Sequence, residues 1–493
     1  MKFRSLRYPQ LRIPTLKVRF TDGVYETTDN QKIDGLIRLC MRSPDIEIHR
    51  DGPTPERESF KPLISVIMAT YNAESVIKRA IDSVKAQSYD KWELIIINDA
   101  STDKTAEVIA SETVGISDKV KILTRKENGG PGASRKDGCD VAEGEVIAIL
   151  DGDDALHTEA LERCVEVYSK NPGIGIVFTD HYQCDSNMNI VRTARWGGDI
   201  KPDSPAEKGR NITHLATFKK SVYEMTSGYS DKYRRATDRV VYYELLRYSR
   251  AVRIAQPLYF YRRVATPTQM KEGERNDKDL KSKAMARDKG VSIIIPHKDR
   301  LENLLISVES ISGTEDHEII IVDGSDFPIE IEGTRNIHTK ETFSRSKYLN
   351  IGARAAKYNR LFFTDADIIF PEGFISRIIE KTAYNAPYFP IVRNESGRYF
   401  KYHSEDGWRM AGYGMLGIMS RDFWHIGGFD EDFTEWGGED NAIYWKTGRA
   451  GMKKTRDKSG LIHIGHPPAT EDPDIHIRKN RILLEVQRKF LMR

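Results

Sequence analysis

Two short acidic clusters follow apolar, strand-like runs, and carboxylates in this arrangement can hold a divalent cation. The first cluster reads DGDD at 151–154 after VIAIL, and the second reads DAD at 365–367 after RLFFT. Because side chains alternate along a strand, the Asp-x-Asp spacing puts two carboxylates on the same side of the chain. One of them can bind a cation shared with the phosphates of a nucleotide, while the other reaches the ribose or orients the first. This spacing favours chemistry in which a metal neutralises a departing diphosphate.

Each acidic cluster ends a series of elements that occurs twice. The series is an apolar strand, a polar helix, a second strand, a helix of small residues and a third strand that runs into the acids. Its strands and small-residue helices lie at 63–70, 92–103, 132–144 and 146–155, and again at 291–296, 317–326, 344–357 and 360–370. Strands that alternate with helices in this way predict two α/β domains with mostly parallel central sheets. Open sheets of this kind bind ligands at the carboxyl ends of their strands, where both clusters are expected.

Further polar residues are predicted at the same sheet edges. Asp99 and Asp323 end the second strand of each copy, where they can accept hydrogen bonds from a base or a ribose. Tyr71 and Asn72 follow the first strand and are predicted to line a nucleotide pocket, with a simple turn as the alternative. The NGGPG segment at 128–132 leads into a helix, so its amides can approach a phosphate or a sugar. The patterns of a P-loop and of a dinucleotide-binding loop do not occur in this segment.

Composition limits the classes of partner and compartment. The chain has 493 residues, with 76 Lys and Arg against 73 Asp and Glu, and its net charge of +3 predicts no stable nucleic-acid binding. Its 4 cysteines show no zinc-ligand spacing. The basic N-terminus is interrupted by Pro9 and Pro14, and no apolar run is long enough to span a bilayer. We therefore expect a cytoplasmic protein, soluble or peripheral to the inner face of the membrane.

Composition also suggests five segments. Residues 1–60 form a small module of unknown role, 61–266 the first domain, 267–290 a polar linker and 291–470 the second domain. Residues 471–493 predict a basic amphipathic helix, which either packs on the second domain or contacts a membrane surface.

The first copy resembles the inverting family 2 glycosyltransferases of the GT-A fold, a Rossmann-like fold that binds nucleotide-diphospho-sugars. The residues that carry the resemblance are ISVIMATYN, IIINDASTDKT, ENGGPGASRKDG and AILDGDD. The resemblance implies that Asp99 contacts the nucleoside, that Asp151 and Asp153 bind the ribose and the metal, and that Arg135 lies near the diphosphate.

The same resemblance implies a catalytic base later in the first domain. The matching position is Asp238, preceded by Thr237 where the family usually has Glu. The family often has a His after Tyr-Arg as a further metal ligand, whereas this sequence reads YRRVATPTQ from Tyr261. The first metal shell is therefore incomplete in the sequence.

The second copy resembles the C-terminal transferase domain of bacterial chondroitin-type polymerases and, more distantly, the β1,4-galactosyltransferases. The matching runs are FSRSKYLNIGA, FTDADIIFP, GGFDEDFTEWGGEDNAIYWK and HIGH. By resemblance, Asp440 is the candidate base, and the neighbouring catalytic residue Glu439 shapes the acceptor pocket together with Trp436. The remaining assignments are Asp323, Arg345 and Asp365 for the nucleotide sugar, and Asp367, His463 and His466 for the metal.

These implications predict a bifunctional, inverting transferase that uses UDP-sugars and one Mn²⁺ or Mg²⁺ ion per active domain. A carboxylate must take the proton of the acceptor hydroxyl as the hydroxyl attacks the anomeric carbon. Attack opposite the leaving diphosphate inverts that carbon, so we expect α-linked donors and β-linked products. Two sites on one chain suit a polysaccharide with an alternating two-sugar repeat. Two alternatives remain open: a protein, lipid-linked or modified nucleic-acid acceptor, or one catalytic domain joined to a non-catalytic glycan-binding domain.

Overall fold

The computed structural model describes residues 60–194, 198–263, 267–397, 414–433 and 439–464, together with five short strands in the first 49 residues. The chain divides into two compact units. One contains 1–60, 436–438 and 470–493, and the other contains 61–435 and 439–469.

The unit that contains the N-terminus holds the five short strands. They are β1 (Lys2–Ser5), β2 (Arg12–Ile13), β3 (Val18–Arg19), β4 (Val24–Glu26) and β5 (Ile46–His49). β1 lies between β4 and β5 in an antiparallel sheet, and β2 pairs with β3.

The larger unit contains two α/β domains in sequence. The sheet of the first domain has nine strands in the order β10-β14-β11-β13-β9-β6-β7-β8, with β12 paired to β11. Its strands are β6 (Ile64–Thr70), β7 (Trp92–Asn98), β8 (Val120–Thr124), β9 (Val146–Asp151), β10 (Ala155–Leu156), β11 (Ile174–Cys184), β12 (Ile190–Ala194), β13 (Ala216–Lys219) and β14 (Arg250–Arg262). The strands β9, β6, β7 and β8 run parallel, and β13 is antiparallel to both of its neighbours.

Helices cover the strands of the first sheet, which explains its continuous Ile and Val runs. All seven residues of β7 are buried, as expected for a strand packed on both faces. The helices are α1 (Ile77–Lys85), α2 (Thr105–Thr113), α3 (Gly130–Asp140), α4 (Ala160–Lys170), α5 (Lys220–Tyr223) and α6 (Thr237–Tyr248), with 3-10 turns at Val114–Lys119 and Ala206–Asn211.

The second domain repeats this architecture with eight strands in the order β17-β16-β15-β18-β21-β20-β22-β19. They are β15 (Val291–His297), β16 (His317–Asp323), β17 (Arg335–His338), β18 (Arg360–Phe363), β19 (Ile368–Ile369), β20 (Tyr388–Asn394), β21 (Leu416–Met419) and β22 (Thr455–His463). The strands β17, β16, β15 and β18 are parallel, and β21 is antiparallel to β18. The helices are α8 (Leu301–Ser310), α9 (Arg345–Ala355), α10 (Phe374–Lys381), α11 (Ser420–His425) and α12 (Glu439–Arg449).

The small-residue helices α3 and α9 lie unusually close to their sheets. A Cβ atom on Gly138 would stand 2.5 Å from Cγ2 of Ile67, and one on Gly352 would stand 2.3 Å from Cγ2 of Ile294. Only glycine permits so close an approach of each helix to its sheet. This close packing places the N-termini of α3 and α9 at the sheet edge where the acidic clusters lie. The predicted pair of tandem α/β domains with mostly parallel central sheets is confirmed.

The segment predicted as a polar linker forms the helix α7 (Pro267–Arg287). Its residues Leu280 and Ala284 are buried against Val240 and Tyr243 of α6. The helix is therefore anchored to the first domain, because an apolar stripe recurs within its polar sequence.

Buried arginines join the two domains directly. Nε of Arg247 donates a 2.8 Å hydrogen bond to Oδ1 of Asn359, and Nη2 of Arg250 lies 2.9 Å from Oδ1 of the fully buried Asp422. These contacts give the interface a polar, charge-paired character. Within the part of the chain that is described, no helix is long and apolar enough to cross a bilayer.

Candidate active sites

In the first domain, Arg135 connects three elements. It lies on α3, is 6% exposed, and its Nη2 is 2.5 Å from Oδ1 of Asp151 at the end of β9. Its Nη1 donates a 2.7 Å hydrogen bond to Oγ1 of Thr237, the first residue of α6. Burial would raise the pKa of Asp151, but the Arg135 charge outweighs it and the pKa is lowered. Arg135 thus keeps the first acid of the cluster ionised.

The other two acids of the first cluster lie in different surroundings. Asp154 is 1% exposed and accepts hydrogen bonds from the Tyr259 hydroxyl and the Arg262 amide, each at 2.7 Å. Burial raises the pKa of Asp154. Asp153 has its Oδ2 3.8 Å from Nη1 of Arg262. Asp154 is therefore tied into the structure, and Asp153 faces the open side of the cluster.

The candidate base Asp238 lies in the first turn of α6, next to Thr237. Burial lowers the pKa of His214, and the nearby carboxylates of Asp151 and Asp238 oppose that effect. The fold thus places Asp238 and Asp151, the last residue of β9, near the same residue, His214. Where the family usually has Glu, Thr237 supplies a neutral hydroxyl to Arg135.

His214 belongs to this site and was missed by the sequence reasoning. Its ring stacks on Tyr259 and Tyr261 of β14, with centroids 5.0 and 5.2 Å apart. No motif in the sequence marks His214, since its partners come from a strand that begins at Arg250. The Tyr-Arg pair at Tyr261 and Arg262 was the available signal, because it places β14 at the acidic cluster.

Asp99, predicted to contact the nucleoside, is bonded to the glycine segment. Its two carboxylate oxygens accept hydrogen bonds from the amides of Gly129 and Gly130 at 2.9 and 2.8 Å. Asn72 has φ of 47° and accepts a 2.8 Å hydrogen bond from the Thr102 amide, while Tyr71 beside it is 50% exposed. These residues shape the strand-end loops, and their contact with a nucleotide stays a prediction.

In the second domain, Arg345 occupies the place of Arg135. It lies at the start of α9, and its Nε is 2.6 Å from Oδ1 of Asp365. Its Nη1 is 2.8 Å from Oδ1 of Asp440 and 3.5 Å from Oε1 of Glu439, both in the first turn of α12. One guanidinium therefore gathers three carboxylates from two parts of the chain.

The two acids of α12 are held with raised pKa values. Burial and the neighbouring Asp440 carboxylate raise the pKa of Glu439 to about 7, against the opposing charge of Arg345. Burial also raises the pKa of Asp440, again opposed by Arg345. A carboxylate whose pKa moves toward neutrality is a stronger base, which suits proton removal from a hydroxyl.

Asp367 and His463, two of the residues predicted to bind the metal, lie close together. Oδ1 of Asp367 is 3.7 Å from Nε2 of His463, and Oδ2 is 3.3 Å from Nη1 of Arg300. Asp367 is 4% exposed. The other predicted metal ligand, His466, and the predicted acceptor residue, Trp436, lie outside the described residues.

Asp323, at the end of β16, lies between His297, which the sequence places at the same edge as Tyr71 and Asn72, and His338, which the sequence reasoning did not assign. Its Oδ1 is 2.9 Å from Nδ1 of His297, and its Oδ2 is 3.3 Å from Nδ1 of His338. Nε2 of His297 accepts a hydrogen bond from the Arg300 amide, so the neutral ring carries its proton on Nδ1 and donates it to Asp323. This chain of contacts connects Asp323 to the loop that carries Arg300.

The acids do not form a ready-made cation cage. Across the described ranges, no group of three or more His, Cys, Asp and Glu side chains surrounds a point that could hold a metal ion.

Family models match a part of each domain. Residues 65–225 match the model described as glycosyl transferase family 2. Residues 328–470 match the model of the chondroitin N-acetylgalactosaminyltransferases. Both resemblances stated from the sequence are thereby confirmed.

Three bacterial proteins show the extent of the similarity. The chondroitin synthase of Pasteurella multocida is 28% identical over 212 residues, covering 42% of this chain and 20% of that protein. The hyaluronan synthase of Pasteurella multocida is 29% identical over 181 residues, covering 36% and 18%. An uncharacterized glycosyltransferase of Haemophilus influenzae is 40% identical over 131 residues, covering 27% and 52%. The matches thus span about half or less of these relatives.

Proposed function

We propose that this chain is an inverting glycosyltransferase with two sites, each of which transfers a sugar from a UDP-sugar to an acceptor hydroxyl. The observation that carries the proposal is a constellation present in both domains. In each, an arginine of the small-residue helix binds the first acid of the strand-end cluster and the first turn of a later helix. The pairs are Arg135 with Asp151 at 2.5 Å and Arg345 with Asp365 at 2.6 Å.

In the second site, Asp440 acts as the base. The acceptor oxygen attacks the anomeric carbon, the bond from that carbon to the diphosphate oxygen breaks, and the proton passes to Asp440 as UDP leaves. Attack opposite the leaving group inverts the anomeric carbon. The raised pKa of Asp440 supports this role, and Arg345 at 2.8 Å fixes the orientation of the carboxylate.

Glu439 and Asp365 complete the second site as positioning groups. Both carboxylates form ion pairs with Arg345, which also pairs with Asp440. These three contacts hold the Arg345 guanidinium at the edge of the sheet. Buried hydrogen-bond donors and charged groups that are already in position before the reaction stabilise the charge that develops during sugar transfer more effectively than mobile groups do. The Trp436 side chain is proposed to shape the acceptor pocket from the adjoining segment.

A divalent cation fits the second site. The side chains of Asp367 and His463 present an oxygen and a nitrogen 3.7 Å apart, and this pair suits Mn²⁺ better than Mg²⁺, which takes oxygen ligands. His466 is proposed to join them. When bound, the cation would neutralise charge on the leaving diphosphate as a Lewis acid.

An alternating polysaccharide is the proposed product. Two donor sites on one chain suit a two-sugar repeat, since the product of each site is the acceptor of the other. The relatives named as chondroitin synthase and hyaluronan synthase support this choice.

A second candidate is one catalytic domain joined to a non-catalytic glycan-binding domain. The observation that favours it is the replacement of Glu by Thr237 beside Asp238, which leaves Arg135 bound to a hydroxyl. In that case the second domain alone performs transfer, to a glycan or to another hydroxyl-bearing acceptor.

Two single variants separate these candidates. Asp238→Asn and Asp440→Asn are each assayed for UDP release with a panel of UDP-sugars and glycan acceptors, with products identified by mass spectrometry. The two-site proposal expects each variant to lose transfer from a different donor and to keep the other. Glu332→Gln, an exposed acid of the second domain, is the control and should retain both.

The outcomes are distinct. If Asp238→Asn leaves every transfer intact while Asp440→Asn abolishes all of them, the candidate with one catalytic domain replaces the two-site proposal. If neither the parent chain nor any variant releases UDP from the panel, the proposed donor class is wrong.

A further inference from the structure

The strand-end acids of the two domains differ in the cationic groups that face them. In the first domain, Asp153 is the acid expected to bind metal, and its Oδ2 lies 3.8 Å from Nη1 of Arg262. The Arg262 side chain is held in place by a 3.0 Å hydrogen bond from Nε to the carbonyl oxygen of Ser186. Its amide is bonded to Asp154 at 2.7 Å. Arg262 is therefore fixed over the cluster by both its main chain and its side chain.

The remaining acids of the first cluster are already paired within the protein. Asp151 is bound by Arg135 at 2.5 Å. Asp154 accepts from Tyr259 as well as from Arg262, and its 1% exposure leaves no face open to solvent. Asp153 has the most exposed side chain of the three acids, at 38% against 26% for Asp151. A dication at Asp153 would meet the guanidinium charge of Arg262, so these residues do not fit a metal in the arrangement observed.

The second domain supplies a different partner at the matching acid. Asp367 also has an arginine nearby, with Arg300 at 3.3 Å from Oδ2. Its other oxygen, Oδ1, lies 3.7 Å from Nε2 of His463, a neutral ligand type that a divalent cation accepts. Asp367 therefore has one oxygen near an arginine and the other next to an imidazole nitrogen, whereas Asp153 lies near Arg262 and the carboxylate of Asp151.

We infer that Arg262 takes the place of a divalent cation at the donor diphosphate of the first site, so that the two sites of this chain differ in their requirement for metal. This inference rests on the proposed function, since it assumes that a nucleoside diphosphate binds at the first strand edge. It replaces the sequence-based expectation of one ion per domain with one ion at the second domain.

The chemistry of the guanidinium group supports this assignment. Arginine stays protonated, presents parallel donors that match phosphate oxygens, and sheds water more readily than an ammonium group. Arg262 and the buried Arg135 give the first site two fixed positive charges near the cluster. A diphosphate would draw Arg262 from its long 3.8 Å contact with Asp153 into shorter charge-assisted bonds.

Metal binding provides the first test, without reference to activity. The full chain, saturated with UDP, is titrated with Mn²⁺ and the bound ion is counted by electron paramagnetic resonance. We expect one ion per chain, lost in Asp367→Asn and retained in Asp153→Asn. Two ions in the parent chain with one lost in Asp153→Asn would overturn the inference, and so would an ion count of zero.

Nucleotide binding provides the second test. UDP is titrated calorimetrically into Asp367→Asn in EDTA, so that the first site is read alone. We expect binding to persist and to weaken about tenfold or more when Arg262→Ala is added, because a charge-assisted contact is lost. Arg263→Ala, which removes the same charge from the next, exposed position, should leave binding unchanged.

The variants also separate misfolding from loss of contact. Arg262→Gln keeps a donor for Ser186 but removes the charge, and thermal unfolding identifies any variant that has lost its fold. If folded Arg262→Gln or Arg262→Ala, each combined with Asp367→Asn, binds UDP in EDTA with unchanged affinity, the inference is wrong. If the parent chain binds no UDP with or without Mn²⁺, the proposed function has failed instead.

Discussion

Arg345 lies against Asp365, with Nε 2.6 Å from Oδ1, and the same guanidinium reaches Asp440 at 2.8 Å. The first domain has the corresponding contact between Arg135 and Asp151. In both domains the arginine lies on the helix that precedes the acidic strand and ties that strand to a helix almost a hundred residues further along. The arginine therefore determines whether the base and the cluster face one another.

Replacing Arg345 with Met should disable the second site and destabilise the chain. Three partly or fully buried carboxylates would lose their counter-charge, and breaking such a pair costs about 3 kcal/mol in free energy of unfolding. Urea denaturation and donor-specific UDP release measure the two effects. The control is Arg354→Met on the same helix, whose side chain is 53% exposed. Equal stability of the two variants would argue against the role given to Arg345.

The stability of the chain should fall as pH rises toward neutrality, through Glu439. Its pKa of about 7 in the folded chain exceeds the ordinary value of 4.5, so the folded state binds the proton more tightly than the unfolded state. The stabilising contribution is therefore complete below pH 4.5 and is lost as pH rises through 7. Glu439→Gln should remove this dependence, which is on the order of 3 kcal/mol across the window.

Urea denaturation of the parent chain and of Glu439→Gln, at several pH values across that window, measures the difference. The parent should lose stability relative to the variant with rising pH. A constant difference between the two would show that Glu439 titrates at its ordinary pKa. Glu332→Gln, on the surface of the same domain, is the control for the loss of an acid.

Replacing Asp422 with Ala should weaken the interface between the two domains. Asp422 is fully buried, and its loss leaves Arg250 without the carboxylate that lies 2.9 Å away. Asp422→Ala should lower the free energy of unfolding by about 3 kcal/mol, because a buried charge becomes uncompensated. We also expect the two domains to unfold in separate transitions.

Differential scanning calorimetry reads both effects of Asp422→Ala at once. Asp203→Ala, at an exposed position of the first domain, should keep the transitions of the parent. If Asp422→Ala unfolds like the control, the domains are joined by other contacts, of which the bond from Arg247 to Asn359 is the first to vary.

Sequence alone predicted the elements and the edge at which the chemistry lies. Continuous Ile and Val runs such as β7 indicate strands buried on both faces, and an acid at the end of such a run must lie at the carboxyl edge of a parallel sheet. For that reason Asp151 and Asp365 could be assigned before any coordinates. The resemblance added Asp238 and Asp440, whose motifs are local. The linker was expected to be partly helical, but the packing of Leu280 and Ala284 on the first domain could not be predicted, because they are few within a polar segment.

Only the tertiary structure determined which charged side chain lies next to each carboxylate. Arg135 meets Thr237, 102 residues away, and Arg345 meets Asp440, 95 residues away. His214 reaches the first site between two tyrosines of β14, and Arg262 lies over Asp153 where a metal was expected. Spacing along a chain reports only neighbours on one strand or helix. Contacts between elements depend on how sheets twist and helices pack, so the partners of each carboxylate were decided by the fold.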